Sequence, residues 1–204
     1  MGRRERKREA TRNQIIEAAK ALFDERRYDD VTIDEITNRA DVAKGTFYLH
    51  FRTKDDVAAE VYNEVVRPAV DAVNQAITAE SSARDLIESF FQAFATPTMS
   101  NPRLAQAVLS HSMSHAYAEP EEEDDLWSIT LMKIVELGLR NGEFRPDWTG
   151  VELSMILGSV FGTTLWAWTA LPSKDSLPER LRRCVETCFE GVGARPLPDC
   201  NTLN

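Results

Sequence analysis

The chain has 204 residues, 43% of them apolar, enough for one or two small domains with a sizeable core. A formal net charge of −9 argues against a general nucleic-acid binder. Three cysteines, all late in the chain, form no disulfide framework, so a reducing cytoplasm is the expected setting.

Apolar residues recur at helical spacing nearly everywhere, which predicts an all-α fold of about nine helices. Gly2 to Arg8 is a basic run, expected to be a mobile arm: either a solvated tail or a source of arginines for a minor groove. The run up to Arg12 lacks the apolar centre of a secretory signal. Thr11 and Gln14 read as a capping box opening the first helix, with Ile15, Ala18, Ala19, Leu22 and Phe23 facing inward.

Thr32 and Glu35 make a second capping box, ahead of a short helix carrying Ile33 and Ile36. Ala40-Asp41-Val42 supplies a tight turn, and aspartate tolerates the left-handed backbone such a turn uses. Another short helix is expected from Lys44 to Phe51, before Thr53-Lys54-Asp55-Asp56 opens a longer one. Two short helices across such a turn form a helix-turn-helix, whose second helix can enter a DNA major groove. Phe47 and Phe51, four apart, face the core; Lys44, Thr46, Tyr48 and His50 lie on other faces, able to reach phosphates or base edges. Gly45 carries no side chain, so a sugar-phosphate strand can come close, and the helix amino end favours a phosphate.

The run Val42-Ala43-Lys44-Gly45-Thr46-Phe47-Tyr48-Leu49-His50-Phe51, with Ile33-Asp34-Glu35-Ile36 before it and Thr53-Lys54-Asp55 after it, resembles TetR-family transcriptional regulators. The resemblance spans roughly residues 11 to 62. It implies a three-helix DNA-binding head, residues 1–54, on a larger ligand-binding and dimerisation body, residues 55–192. By position it implies Thr32 and Lys54 as phosphate contacts, and Lys44, Gly45, Thr46, Tyr48 and His50 as the recognition surface. It also implies a homodimer on a palindromic double-stranded operator, a small-molecule effector, and pairing through the helices near 150–170 and 177–192. Three positions depart from the family pattern. Arg27 and Asp41 stand where glycine is common, and Ala43 replaces a serine cap, removing a hydroxyl that would satisfy a free N–H. If the backbone at Arg27 were left-handed, the substitution would cost about 1 kcal/mol.

Charge is divided in the same way. Residues 1–54 hold 13 Lys and Arg against 10 Asp and Glu, whereas the other 150 hold 11 against 23. A basic head on an acidic body suits a protein that touches DNA with one end.

Beyond the head, a helix starts at Asp55 or Asp56 and carries apolar residues to Ile77, with Pro68 inside it, where a kink is expected. Ser82 with Asp85 opens the next, with Phe90, Phe91 and Phe94 inward, closing at Thr96-Pro97. Asn101-Pro102 starts another. The acidic run Glu119 to Asp125 reads as a loop before a helix from Asp125 to Asn141, stopped by Gly142. Thr149 and Glu152 cap a helix from Gly150 to Ala170, in which Ser154, Gly158 and Gly162 form a small-residue strip suited to close packing. A last helix runs from Leu177 to Val192, and the tail from 193 to 204 is expected to be disordered. The stretch Met155 to Leu171 is the best membrane-span candidate, but Ser, Thr and Gly break it, and no membrane contact is expected.

His111 and His115 share a helix face and can chelate with Glu119, yet two imidazoles are too few for a metal site, and none is assigned. Cys184 and Cys188 share a face without a second pair and read as packing. The candidate ligand contacts are Phe91, Phe94, His111, His115, Trp127 and Trp166, bulky or polar groups of the body. No Gly-x-Ser-x-Gly, Walker or dinucleotide pattern occurs, so no enzyme activity and no cofactor are expected. The leading expectation is a ligand-responsive DNA-binding regulator, most simply a repressor. Its rival is a helical carrier or enzyme that keeps the shape without operator binding.

Overall fold

A computed structural model describes residues 2–115, 126–171 and 175–192. The expected acidic loop at 119–125, the tail from 193 and the side chain of His115 lie outside the described residues. Among those described there are ten α-helices and no β-strand: α1 (Arg3–Glu25), α2 (Ile33–Arg39), α3 (Lys44–Tyr48), α4 (Lys54–Ala76), α5 (Ala83–Gln92), α6 (Ala95–Ser100), α7 (Pro102–His115), α8 (Leu126–Arg140), α9 (Gly150–Ala170) and α10 (Leu177–Val192), with a 3-10 turn at Tyr28–Asp30. The all-α class stands, with one helix more than the sequence pattern predicts.

The chain packs into two compact units. One comprises Met1–Pro68, Thr96–Glu121 and Leu165–Pro172; the other comprises Ala69–Ala95, Glu122–Thr164 and Ser173–Asn204.

In the first unit α1 packs on α2 and α2 on α3. α1 buries Ile15, Ile16, Ala18, Ala19, Leu22 and Phe23. It begins at Arg3, so the basic segment expected to be a mobile arm is helical, and Thr11 is an interior residue whose hydroxyl donates to the Lys7 carbonyl at 3.0 Å. Arginine, lysine, glutamate and alanine are strong helix formers with no breaker among them, and the Glu5 carboxylate takes the Gly2 N–H at 2.6 Å. Arg27 follows the helix with φ −61 and ψ 140, so the feared left-handed strain is absent. The Thr32–Glu35 capping box forms as expected, and Asp41 has φ 52, the left-handed turn residue. α3 stops at Tyr48 instead of Phe51, although Leu49, His50 and Phe51 keep turn hydrogen bonds back to Thr46 and Phe47. Asn101 caps α7 through Oδ1 at 3.1 Å from the Leu104 N–H, and its amide donates to the Phe23 carbonyl at 3.1 Å.

α6 is the element missing from the sequence reading: the helix expected to close at Thr96-Pro97 ends at Gln92, and a separate turn follows. Pro97 sits in its first turn, where a missing N–H costs nothing. Thr98 is fully buried and shares a 2.7 Å hydrogen bond with the Tyr62 hydroxyl, whose burial pushes its pKa up to about 12.

The second unit is built on aromatics. Phe91 stacks on Phe161 with ring centres 4.4 Å apart, and Phe94 meets the same ring edge-on at 5.1 Å. Phe90 and Trp127 complete the cluster. Glu143 closes the amino end of α5, accepting from the Ala83 N–H at 2.7 Å and the Arg84 N–H at 3.2 Å, in addition to the Ser82 cap. The turn after α8 holds Gly142 with φ 73, the expected glycine stop. α9 buries Leu153, Leu157 and Phe161 at four-residue steps, which makes it a packing helix. It is also, among the described residues, the one helix long and apolar enough to cross a membrane by length and composition.

Candidate nucleic-acid interface

The head's outer surface is fixed by what lies beneath it. Phe47 is fully buried and Phe51 nearly so, their rings 5.7 Å apart, and this pins α3 to the core by one side. Lys44, Gly45 and Tyr48 are consequently exposed, with Thr46 and His50 half-buried beside them. The structure therefore brings five of the seven expected DNA contacts onto one short segment. Tyr48 is 51% exposed, and the Phe47 ring stands against it edge-on.

Lys44 is held by the Asp34 carboxylate of α2 at 2.7 Å, and that hydrogen bond raises its pKa. The pair is exposed, so water screens it, and the ammonium is available to a stronger anion. His50 moves the other way: partial burial, with Arg8 and Arg12 nearby, lowers its pKa and favours the neutral ring. The aromatic face of Phe51 carries the Arg12 guanidinium at 5.4 Å, while Arg12 pairs with Glu60 at 2.5 Å. Gly45 differs from most other glycines described. A Cβ built on it would meet nothing within 4 Å, so the fold itself does not need a glycine there.

Thr32 and Lys54 sit at the ends of neighbouring helices. The Thr32 hydroxyl and N–H both donate to Glu35, at 2.8 and 2.9 Å, and Thr32 Oγ1 accepts from the Glu35 N–H. Arg26 completes the cluster at 2.8 Å; with the two Thr32 bonds it holds the Glu35 pKa down to about 2. Lys54 points inward. Its ammonium donates to the Tyr28 and Val31 carbonyls at 2.8 and 2.9 Å and lies 4.1 Å from the Tyr28 ring centre. Two of its three donors are thus spent on the turn before α2, leaving one. The Tyr28 hydroxyl bonds the neighbouring Asp55.

The residues proposed for a ligand are dispersed. Phe91, Phe94 and Trp127 belong to the aromatic core of the second unit. His111 belongs to the first. It lines an open cleft of about 400 Å³ with Arg52, Thr53 and Asp56, and its Nε2 is 3.3 Å from Asp56 Oδ1. Asp56 Oδ2 meanwhile accepts from the N–H groups of Arg52 and Thr53 at 2.7 and 2.9 Å, closing the start of α4. Trp166 is 37% exposed. Among the described residues no cluster of three or more metal-binding side chains occurs. Cys188 is buried, which pushes its thiol up to about 11, and the Cys184 sulfur lies 3.0 Å from the Thr164 hydroxyl.

Two features escaped the sequence reading. Leu49, 73% exposed, stands beside Tyr48 on the same surface, and a helical projection through Phe47 would have found it. The proximity of Arg8 to His50 depends on α1 extending to Arg3, which a mobile arm would not have offered.

Comparison with known proteins agrees with this geometry. Residues 15–61 match the family model for bacterial regulatory proteins of the tetR family. The chain is 23% identical to the fatty acid metabolism regulator protein of Bacillus subtilis over 185 residues, 88% of this chain and 94% of that one. An uncharacterised HTH-type transcriptional regulator of Mycobacterium tuberculosis is 39% identical, over 41% of each chain. Thermus thermophilus FadR, a TetR-family transcriptional repressor in complex with lauroyl-CoA, shares the fold with a TM-score of 0.73 at 20% identity, over 92% of this chain and 97% of its own. Bacillus subtilis FadR in complex with stearoyl-CoA gives 0.61 at 18% identity, over 88% and 98%. The helix-turn-helix, its Thr32–Glu35 capping box and the exposed segment from Lys44 to Tyr48 all lie within the stretch that matches the tetR-family model.

Proposed function

We propose that the protein is a homodimeric repressor, working in the cytoplasm, that holds a palindromic operator with two heads and lets go when an acyl-CoA binds its body. One observation carries the DNA half of this reading. The outer side of α3 carries exposed Tyr48 and Leu49 and a screened Lys44–Asp34 pair, around a glycine with empty space over it. Lys44, Gly45, Thr46, Tyr48 and His50 face the duplex, while Thr32 and the remaining donor of Lys54 hold phosphates. The heads read half-sites about 34–36 Å apart, one helical turn.

Pairing of α9 and α10 with their mates supplies the two-fold axis. In support, Val151 and Met155 are exposed, by 58% and 63%, on one face of α9. Gly162 further along that helix has nothing within 4 Å of its missing Cβ, so another backbone can approach closely. The effector class follows from the two FadR relatives, named above with lauroyl-CoA and stearoyl-CoA. Phe91, Phe94 and Trp127 are proposed as the apolar wall for the acyl chain. An effector moves the equilibrium only by its differential affinity for the two head spacings.

A gel shift of the full chain against the DNA flanking its own coding region, at low ionic strength, tests the reading. A shifted band that lauroyl-CoA or stearoyl-CoA dissolves is the expected result. Failure to shift any palindrome, or a monomer in sedimentation, overturns it; a shift indifferent to both thioesters removes the effector class alone. Gly162→Ala is expected to leave the monomer fold intact and weaken the dimer.

A further inference from the structure

The faces of α3 can be ranked by their distance from the core. Each residue of a helix advances about 100°. Phe47 and Phe51, 0% and 4% exposed, mark the inward direction. The turn persists past the end of α3: the His50 and Phe51 N–H groups both donate to the Phe47 carbonyl at 2.9 Å, and Leu49 keeps a helical φ of −79 and ψ of −15. Gly45 and Leu49 then fall at about 160° and 200° from Phe47, directly opposite the core. Lys44 and Tyr48 flank them on one side, Thr46 and His50 on the other. The outermost line of α3 and the turn after it is therefore a glycine and, one turn on, a leucine.

Leu49 is 73% exposed, more than any other large apolar side chain among the described residues. A single exposed leucine is ordinary on a protein surface. This one stands on the ridge that first meets whatever the head binds, with Gly45 beside it leaving room for close approach. Its neighbours on both sides are polar donors and acceptors. A phosphate backbone offers nothing to an isobutyl group, whereas a base edge does: the major groove displays one apolar group, the C5-methyl of thymine.

We propose that Leu49 is a specificity residue that reads thymine, packing its isobutyl group on a thymine C5-methyl in each half-site. The polar neighbours choose among hydrogen-bonding patterns; Leu49 adds a preference that hydrogen bonds cannot express. The proposal rests on the head being the operator-binding surface.

Replacing thymine by uracil removes that methyl and leaves every hydrogen-bonding group in place. Operators selected from a random pool with the full chain are remade with uracil at each thymine in turn. For the wild type, one symmetric thymine position is expected to lose about 4-fold in affinity per half-site, the worth of one buried methyl group. Leu49→Ala is expected to bring the thymine-to-uracil ratio at that position to about 1, since the methyl then meets no apolar partner. Leu49→Met keeps the apolar reach and should retain most of the preference. The side chain is exposed, so unchanged melting curves will show that both variants fold. An unchanged ratio in Leu49→Ala, including the case in which Leu49 instead serves a protein partner, overturns this proposal while leaving operator binding standing. A chain that selects no DNA at all overturns both.

Discussion

Two glycines separate the regions of this molecule. Gly45 in the head has open space where its Cβ would stand, whereas a Cβ on Gly138 in the second unit would lie 2.5 Å from the Phe144 ring and 2.7 Å from Ala83. The body glycine is explained by what surrounds it inside the chain; the head glycine has no internal explanation. One side chain is absent where the protein packs on itself; the other leaves open surface, where we propose that a DNA strand comes close.

The sharpest way to break that contrast is to add the same methyl group in both places. Gly138→Ala should destabilise the body by roughly 1–3 kcal/mol, since the ring and the alanine must both shift. A lowered midpoint in denaturant measures it, and an unchanged midpoint would mean that the cluster is loose. Gly45→Ala should do the reverse: stability constant, or raised by about 0.5–1 kcal/mol from the lost backbone freedom of glycine. Operator affinity should nevertheless fall, by an order of magnitude or about 1.4 kcal/mol. A binding constant unaffected by that methyl group would remove the case for close approach.

Lys54 tests whether a residue can belong to both kinds of region. Lys54→Met keeps much of the stem but frees the Tyr28 and Val31 carbonyls, so about 1 kcal/mol of head stability should go with each hydrogen bond lost. DNA affinity should drop equally on operator and random sequence, with a shallower salt dependence, because a phosphate contact carries no sequence information. Tyr48→Ala should instead lose discrimination; equal losses on both DNAs would remove Tyr48 from the base-reading set.

The smallest effect concerns acid. Arg26 and Thr32 stabilise the ionised form of Glu35, so its folded pKa, about 2, lies below the ordinary 4.5. A depressed carboxylate contributes its full stabilisation above the unfolded value and loses it as pH falls toward the folded one. Stability against melting should therefore fall between about pH 4.5 and 2, and Glu35→Gln should flatten part of that slope. Exposure of the cluster keeps the change small.

The contrast also explains what was legible in the sequence. Caps and turns are local chemistry, so Thr32–Glu35, Asp41, Gly142 and the limits of α9 and α10 could be read directly. The recognition segment was legible because Phe47 and Phe51 announce which side is inward. α6 was not, because its stability comes from Thr98 meeting Tyr62, a partner 36 positions away. Nor was the inward turn of Lys54, whose carbonyl partners are 23 and 26 positions earlier. The helical start of α1 was missed for another reason. A basic run reads as a mobile arm, whether solvated or bound in a minor groove, although its residues favour a helix once one has been nucleated downstream.

That early start of α1 bears on the thermodynamics of complex formation. A disordered basic arm that orders on a polyanion gives up about 1–2 kcal/mol of conformational entropy for each residue fixed. Arg3, Arg4, Arg6, Lys7 and Arg8 are already wound into helix, so little of that freedom is left to surrender. Calorimetry should accordingly find a heat-capacity change that reflects docking of preformed surfaces, without the further negative contribution of a segment that folds on contact.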